Sequence, residues 1–155
     1  NPCPCGYLGS KVRACRCTPD QVARYQGKLS GPLLDRIDLH IEVGSLSTQE
    51  LLQAPSGEST ATIAARSQAA RARALARQAC TNAQLQGPAI DAHIGLDAGA
   101  QNLLHKAATR LGWSGRGTHR TLKVARTVAD LAGSAEVLAP HVAEAIQYRR
   151  VLQET

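Results

Sequence analysis

The sequence contains no methionine and no phenylalanine, and aromatic residues make up 3% of its 155 positions. Without a methionine the chain does not begin where a natural reading frame begins, so it is either a processed protein or an excised fragment. Asn1-Pro2-Cys3-Pro4-Cys5 is not the remnant of a signal peptide and no apolar h-region survives, which favours the fragment. No apolar run approaches the roughly 20 residues needed to cross a bilayer, so no membrane partner is expected and the chain reads as soluble and cytoplasmic. Acidic residues are also scarce, 12 against 18 Lys and Arg, for a formal charge of +6. A basic balance suits an anionic partner such as nucleic acid or nucleotide phosphate, and equally suits a mildly basic domain that binds neither. Tyr7, Tyr25, Tyr148 and Trp113 are too scattered to form a base-stacking platform. Any contact with DNA is therefore expected to be electrostatic and independent of sequence.

Alanine, arginine, leucine and glutamine dominate instead, all good helix formers, and the length suffices for one domain or two small ones. Residues 1–17 are loop-like, with Pro2, Pro4, Gly6 and Gly9 among four cysteines. Thr18, Pro19 and Gln21 then form a capping box that starts a helix to Gln26. Ser30-Gly31-Pro32 opens a shorter piece. Residues 37–43 alternate apolar and polar without a break, which predicts a strand closed by Gly44 that needs a sheet to lie in. Ser47 and Glu50 make a second capping box. The Pro-Ser-Gly stretch at 54–58 reads as a linker between a first domain, 1–53, and a second, 59–152.

Beyond the linker every expected element is helical. A long helix runs from Thr60 to about Cys80, and a short one lies near Ala89–His93. Asp97 caps a third, with Leu103, Leu104, Ala107, Ala108 and Leu111 inward. Gly112 to Gly117 is expected to be a glycine-rich loop. Thr118 starts a helix with Leu122, Ala125, Val128, Ala129 and Leu131 inward, and Pro140 opens the last, with Val142, Ala145, Ile146 and Val151. Arg66, Arg73 and Arg77 share one face of the long helix, where they form either a solvated surface or a stripe able to follow a phosphate backbone.

Cys3, Cys5, Cys15 and Cys17 form a C-x-C, nine-residue, C-x-C arrangement. Two such pairs on adjacent arms of a hairpin can converge on one tetrahedral ion, and a segment with no core of its own would be held together by it. A structural Zn2+ is one reading. Disulfides and reduced free thiols are the others, and four thiolates leave no open position for catalysis. Cys80 stands alone on its helix and reads as a small buried hydrophobe.

Three blocks carry a resemblance: Asn-Pro-Cys-Pro-Cys-Gly at 1–6 with Cys-Arg-Cys-Thr-Pro at 15–19, Leu-Ser-Gly-Pro-Leu-Leu-Asp-Arg-Ile-Asp-Leu-His at 29–40, and His-Arg-Thr-Leu-Lys-Val-Ala-Arg-Thr-Val-Ala-Asp-Leu-Ala-Gly at 119–133. Together they resemble the ComM/YifB family of magnesium-chelatase-like AAA+ ATPases, over nearly the whole chain. The resemblance implies a mainly α fold: a helical AAA+ lid bundle preceded by a fragment of the AAA+ α/β core that contributes one strand and the cysteine hairpin. It also implies a hexamer that binds ATP and Mg2+ between subunits and acts on DNA, in branch migration during natural transformation.

By the same resemblance Asn1 falls at the sensor-1 position and Arg36 at the arginine finger, where a guanidinium reaches a neighbour's γ-phosphate. From the residues alone, Asn1 is a turn residue before proline and Arg36 a salt-bridge partner of Asp35 or Asp38. Arg120 matches the sensor-2 arginine. Arg126, six residues on, is a weaker nucleotide contact or an i, i+4 ion pair with Asp130. No Gly-x-x-x-x-Gly-Lys-Ser/Thr occurs and no acidic pair follows an apolar strand, so this chain alone is not expected to hydrolyse ATP. Two other readings are a chelatase-type subunit acting on a protein partner in magnesium insertion and a stand-alone zinc-stabilised nucleic-acid-binding module.

Overall fold

Side-chain oxygens open six of the helices, and the computed structural model, which describes residues 1–150, shows each cap directly. Thr18 accepts from the Gln21 N–H to start α1 (Pro19–Gln26), with the reciprocal Gln21 bond completing the box. Ser30 caps α2 (Gly31–Leu34), and Ser47 with Glu50 boxes α3 (Thr48–Gln53). Ser59 caps α4 (Thr60–Gln78). After a 3-10 turn at Asn82–Gln84 come α5 (Pro88–His93) and α6 (Ala98–Arg110), the latter capped by Asp97. Last are α7 (Gly115–Ala132) and α8 (Ala139–Arg150).

Several expectations are corrected. Helix α7 starts at Gly115 rather than Thr118, because Ser114 accepts from the Gly117 N–H and draws both glycines into the first turn. Helix α4 ends two residues early, at Gln78, with a left-handed Ala79 (φ 57°) as its cap, which places Cys80 beyond the helix and half-buried against the core. Residues 37–43 do not form a strand. Their alternation supplies an apolar face, but a strand exists only in a ladder, and the sole bridge among the described residues joins Leu96 to Val137. Ile41 and Val43 are accordingly 67% and 86% exposed.

The chain divides into two compact units, one of Asn1–Ile37 and Ile41–Gly57, the other of Asp38–His40 and Glu58–Thr155. In the first unit α1, α2 and α3 bury no residue, and Cys3 is the only buried position. The second unit is a helical bundle centred on α7, which packs against α4, α5, α8 and the 3-10 turn, while α6 packs on α8. Its core joins Leu85, Ile90 and Ile94 to Leu104, Leu122, Ala125, Ala129, Val142 and Ile146. Leu103, Ala107 and Leu111 flank that core half-buried. Leu131, expected inward, is 43% exposed, since two residues past buried Ala129 it lies across the helix. Val151 lies outside the described residues.

Candidate functional site

Two turns bring the four cysteines of the first unit together. The Gly6 N–H donates to the Cys3 carbonyl, and Gly6 turns at φ +80°, a left-handed conformation that favours glycine. Ser10 Oγ then accepts from the Val12 and Arg13 N–H groups and returns the chain towards Cys15. Cys3 Sγ lies 3.5 Å from Cys5 Sγ and 3.7 Å from Cys15 Sγ, and the Cys5 and Cys15 sulfurs are 3.6 Å apart. With Cys17 included, all four sulfurs lie within 4.8 Å of one another. Cys3 is fully buried and the other three are half-buried.

Backbone N–H groups turn towards these sulfurs, among them Cys17 N–H donating to Cys15 Sγ at 3.4 Å. The N–H groups of Arg16 and Tyr7 hold the Cys5 thiol down at about 6. Desolvation acts against ionisation of Cys3, but the N–H groups of Leu8 and Gly6 and the Cys15 thiol leave it lowered. For Cys15 the Cys17 N–H acts downward, yet desolvation and the Cys5 and Cys3 sulfurs raise it. For Cys17 the Cys5 N–H acts downward, but desolvation and the three other sulfurs push it up to about 12. Two of the sulfurs thus ionise more readily than an ordinary thiol and two less readily, as expected where thiolates crowd together and each negative charge opposes the next.

The predicted nucleotide-facing residues fall in three settings. Asn1 is exposed, its side chain about a van der Waals contact from where a Cβ on Gly6 would stand. Arg36 is exposed in the turn after α2. Asp38, one of the two salt-bridge partners weighed for Arg36, pairs instead with Arg120, with Nη1 2.6 Å from Oδ1. Arg120 sits on the second turn of α7 and is a quarter exposed at its side chain.

Arg126 is 1% exposed and adopts the ion-pair reading: its Nη2 donates to Asp130 Oδ1 at 3.0 Å and to the Ser134 carbonyl, and Nη1 donates to the Ala135 carbonyl. Asp130 also accepts from Arg77 through both oxygens, at 2.7 and 2.9 Å, and from Asn82 at 2.8 Å. Burial opposes ionisation of the Asp130 carboxyl, but the hydrogen bonds from Arg77 and Asn82 and the charge of Arg126 prevail and hold it low. Arg73 donates to the Asp130 carbonyl, and Arg66 pairs with Glu58 at 2.9 Å. The arginine face of α4 is therefore largely engaged with protein acceptors rather than presented as a stripe.

Sequence reasoning weighed Asp38 as a partner of Arg36 rather than of Arg120, and it missed Asn82 and His40. The backbone N–H of His40 donates to the Tyr148 carbonyl, and its two ring nitrogens are buried without hydrogen-bond partners. The signal for Asp38 and His40 was their place in the 29–40 block; for Asn82, 48 residues from Asp130, there was none.

The family described as magnesium chelatase, subunit ChlI, matches residues 1–51, and that described as its C-terminal part matches residues 57–149. The chain is 40% identical over 152 residues to YifB of Salmonella typhimurium, covering 97% of the chain and 30% of that protein. It is 39% identical over 155 residues to the competence protein ComM of Haemophilus influenzae, covering 99% of the chain and again 30% of the relative. To YifB of Escherichia coli it is 40% identical over 156 residues, with 97% and 30% covered. The chain thus spans about 30% of the length of the curated relatives it matches.

Proposed function

This chain belongs to the magnesium chelatase ChlI family, and from that premise we propose that it is the core-edge and lid portion of a hexameric AAA+ ATPase of ComM type that acts on DNA. The observation that supports the reading is the match to YifB and ComM over 97% and 99% of the chain, a span that covers both parts and the positions of Arg36, Asp38 and Arg120. In that role residues 1–53 are the edge of the nucleotide-binding core and residues 59–152 the lid. The segment 37–43 would complete its alternating pattern as a strand in the sheet of that core.

Arg36 supplies the arginine finger. An exposed guanidinium with five donors neutralises charge on a transferring phosphoryl group, and Arg120 contributes a second cation from α7. Asn1 orients the attacking water. Arg126 has both terminal nitrogens committed to Asp130 and two carbonyls, so its part is to hold the bundle that carries Arg120. ATP and Mg2+ are bound by the remainder of the protein, and the chain alone, without a phosphate-cradling loop, does not turn over ATP. DNA is held through its phosphates by exposed cations such as Lys106, Arg110 and Arg116, without reading of sequence.

The test is steady-state hydrolysis and branch migration by the full-length protein. Arg36→Ala is expected to lower ATP turnover by about 1000-fold or more while nucleotide still binds, as loss of an arginine finger does. Branch migration should fall with it. Turnover within a few-fold of the parent would overturn the finger assignment. Lack of any salt-dependent DNA binding at low ionic strength would overturn the DNA reading.

A further inference from the structure

We propose that Cys3, Cys5, Cys15 and Cys17 bind a single Zn2+ through four thiolates, and that this ion is the core of residues 1–18. Geometry carries the assignment. Four sulfurs at a zinc–sulfur distance of about 2.3 Å in a tetrahedron stand roughly 3.8 Å apart along each edge. Three of the edges here are 3.5, 3.6 and 3.7 Å. An ion placed at that distance from Cys3, Cys5 and Cys15 lies about 1 Å out of their plane. Cys17, within 4.8 Å of the other three, is the remaining vertex.

Burial is the second, independent observation. Cys3 is the only buried residue of the first unit, so the closest thing this segment has to a hydrophobic core is a sulfur facing three other sulfurs. Two turns and a few backbone hydrogen bonds do not order a loop with four prolines and glycines against its chain entropy. An ion shared by both ends does, by tying Cys3 and Cys5 to Cys15 and Cys17. It also sets the start of α1, since Cys17 precedes the Thr18 cap, and Gln26 Nε2 closes the other side on the Pro2 carbonyl at 3.0 Å.

Disulfides fit the arrangement less well. Each sulfur of Cys3, Cys5 and Cys15 is equidistant from two others within 0.2 Å, with no pair singled out. The ion is structural rather than catalytic, because four protein sulfurs leave no position for water or substrate. Zinc binding by this chain does not depend on its being part of an ATPase, so metal content and ATP turnover fail or succeed separately.

The experiment is metal analysis of the full chain purified under reducing conditions, followed by cobalt replacement. A single zinc per chain is expected, released as a mercurial titrates the thiols. Co2+ in its place should give the intense sulfur-to-metal charge-transfer absorption and strong visible bands of a tetrahedral tetrathiolate. Cys80→Ser should keep the zinc and Cys17→Ser should lose it under the same dialysis. Absence of zinc together with absence of a cobalt spectrum from the unmodified chain would overturn the proposal, whatever the folding of the variants. So would iron in place of zinc, or a weak octahedral cobalt spectrum.

Discussion

The two units are stabilised by opposite means. The second closes an apolar cluster from Leu85 to Ile146 around α7 and seals its rim with Asp130, which is 1% exposed and receives Arg77, Arg126 and Asn82. The first has three capped helices that bury no residue, and it leaves Val43, Leu46, Leu51 and Leu52 between 61% and 86% exposed. Local capping is equally good in both. The difference shows that correct caps make helices without making a core: a helix of a few turns draws its stability from an apolar face that meets another. Where no such face is covered, order has to come from a concentrated interaction, and the four sulfurs are the one available in residues 1–57.

The largest test of this contrast is metal removal. If zinc supplies the first unit's stability, a chelator should abolish hydrogen-exchange protection at Gly6, Ser10 and Val22 while the unfolding midpoint of the second unit stays in place. Loss of structural zinc from small sites is worth about 10–16 kcal/mol, enough to account for all of it. Asp130→Ala comes next. It leaves the buried Arg126 charge unpaired and should cost the second unit about 3–5 kcal/mol by urea unfolding. An unchanged midpoint would mean that the apolar cluster alone holds the bundle.

Titration sharpens the same point. The Asp130 carboxyl is lowered in the folded chain, so its stabilisation is fully present above the ordinary carboxylate pKa and is lost as pH falls through the lowered one. The gap between the parent and Asp130→Ala should accordingly be constant near neutrality and narrow progressively below about pH 4. Leu104→Ala, which deletes a side chain 7% exposed, should cost about 2–3 kcal/mol, towards the low end for buried leucine. Smallest is Leu52→Ala in the first unit. With that side chain 79% exposed, the change should stay within about 0.5 kcal/mol, and a larger loss would reveal a packing partner.

Much of the fold was legible because its signals are local. Thr18 with Gln21, Ser47 with Glu50, and Asp97 each satisfy N–H groups within three residues, so their helices start where the residues say. The start of α7 was not legible, since Gly115 and Gly117 resemble a loop without the Ser114 cap that draws them into the first turn. The arginine face of α4 was ambiguous for a different reason. Whether Arg73 and Arg77 meet solvent or protein depends on Asp130, which is 57 and 53 residues away.

The residues alone determined helix content, the caps and the pairing of cysteines into two short motifs, because each depends on neighbours along the chain. Only the tertiary structure decided that the four sulfurs converge, that Asp38 takes Arg120 across 82 positions, and that residues 37–43 remain without a ladder. Convergence, ion pairing and strand pairing each need a second segment at a defined distance. Alternation or spacing can prepare one partner for such a meeting, and packing supplies the other.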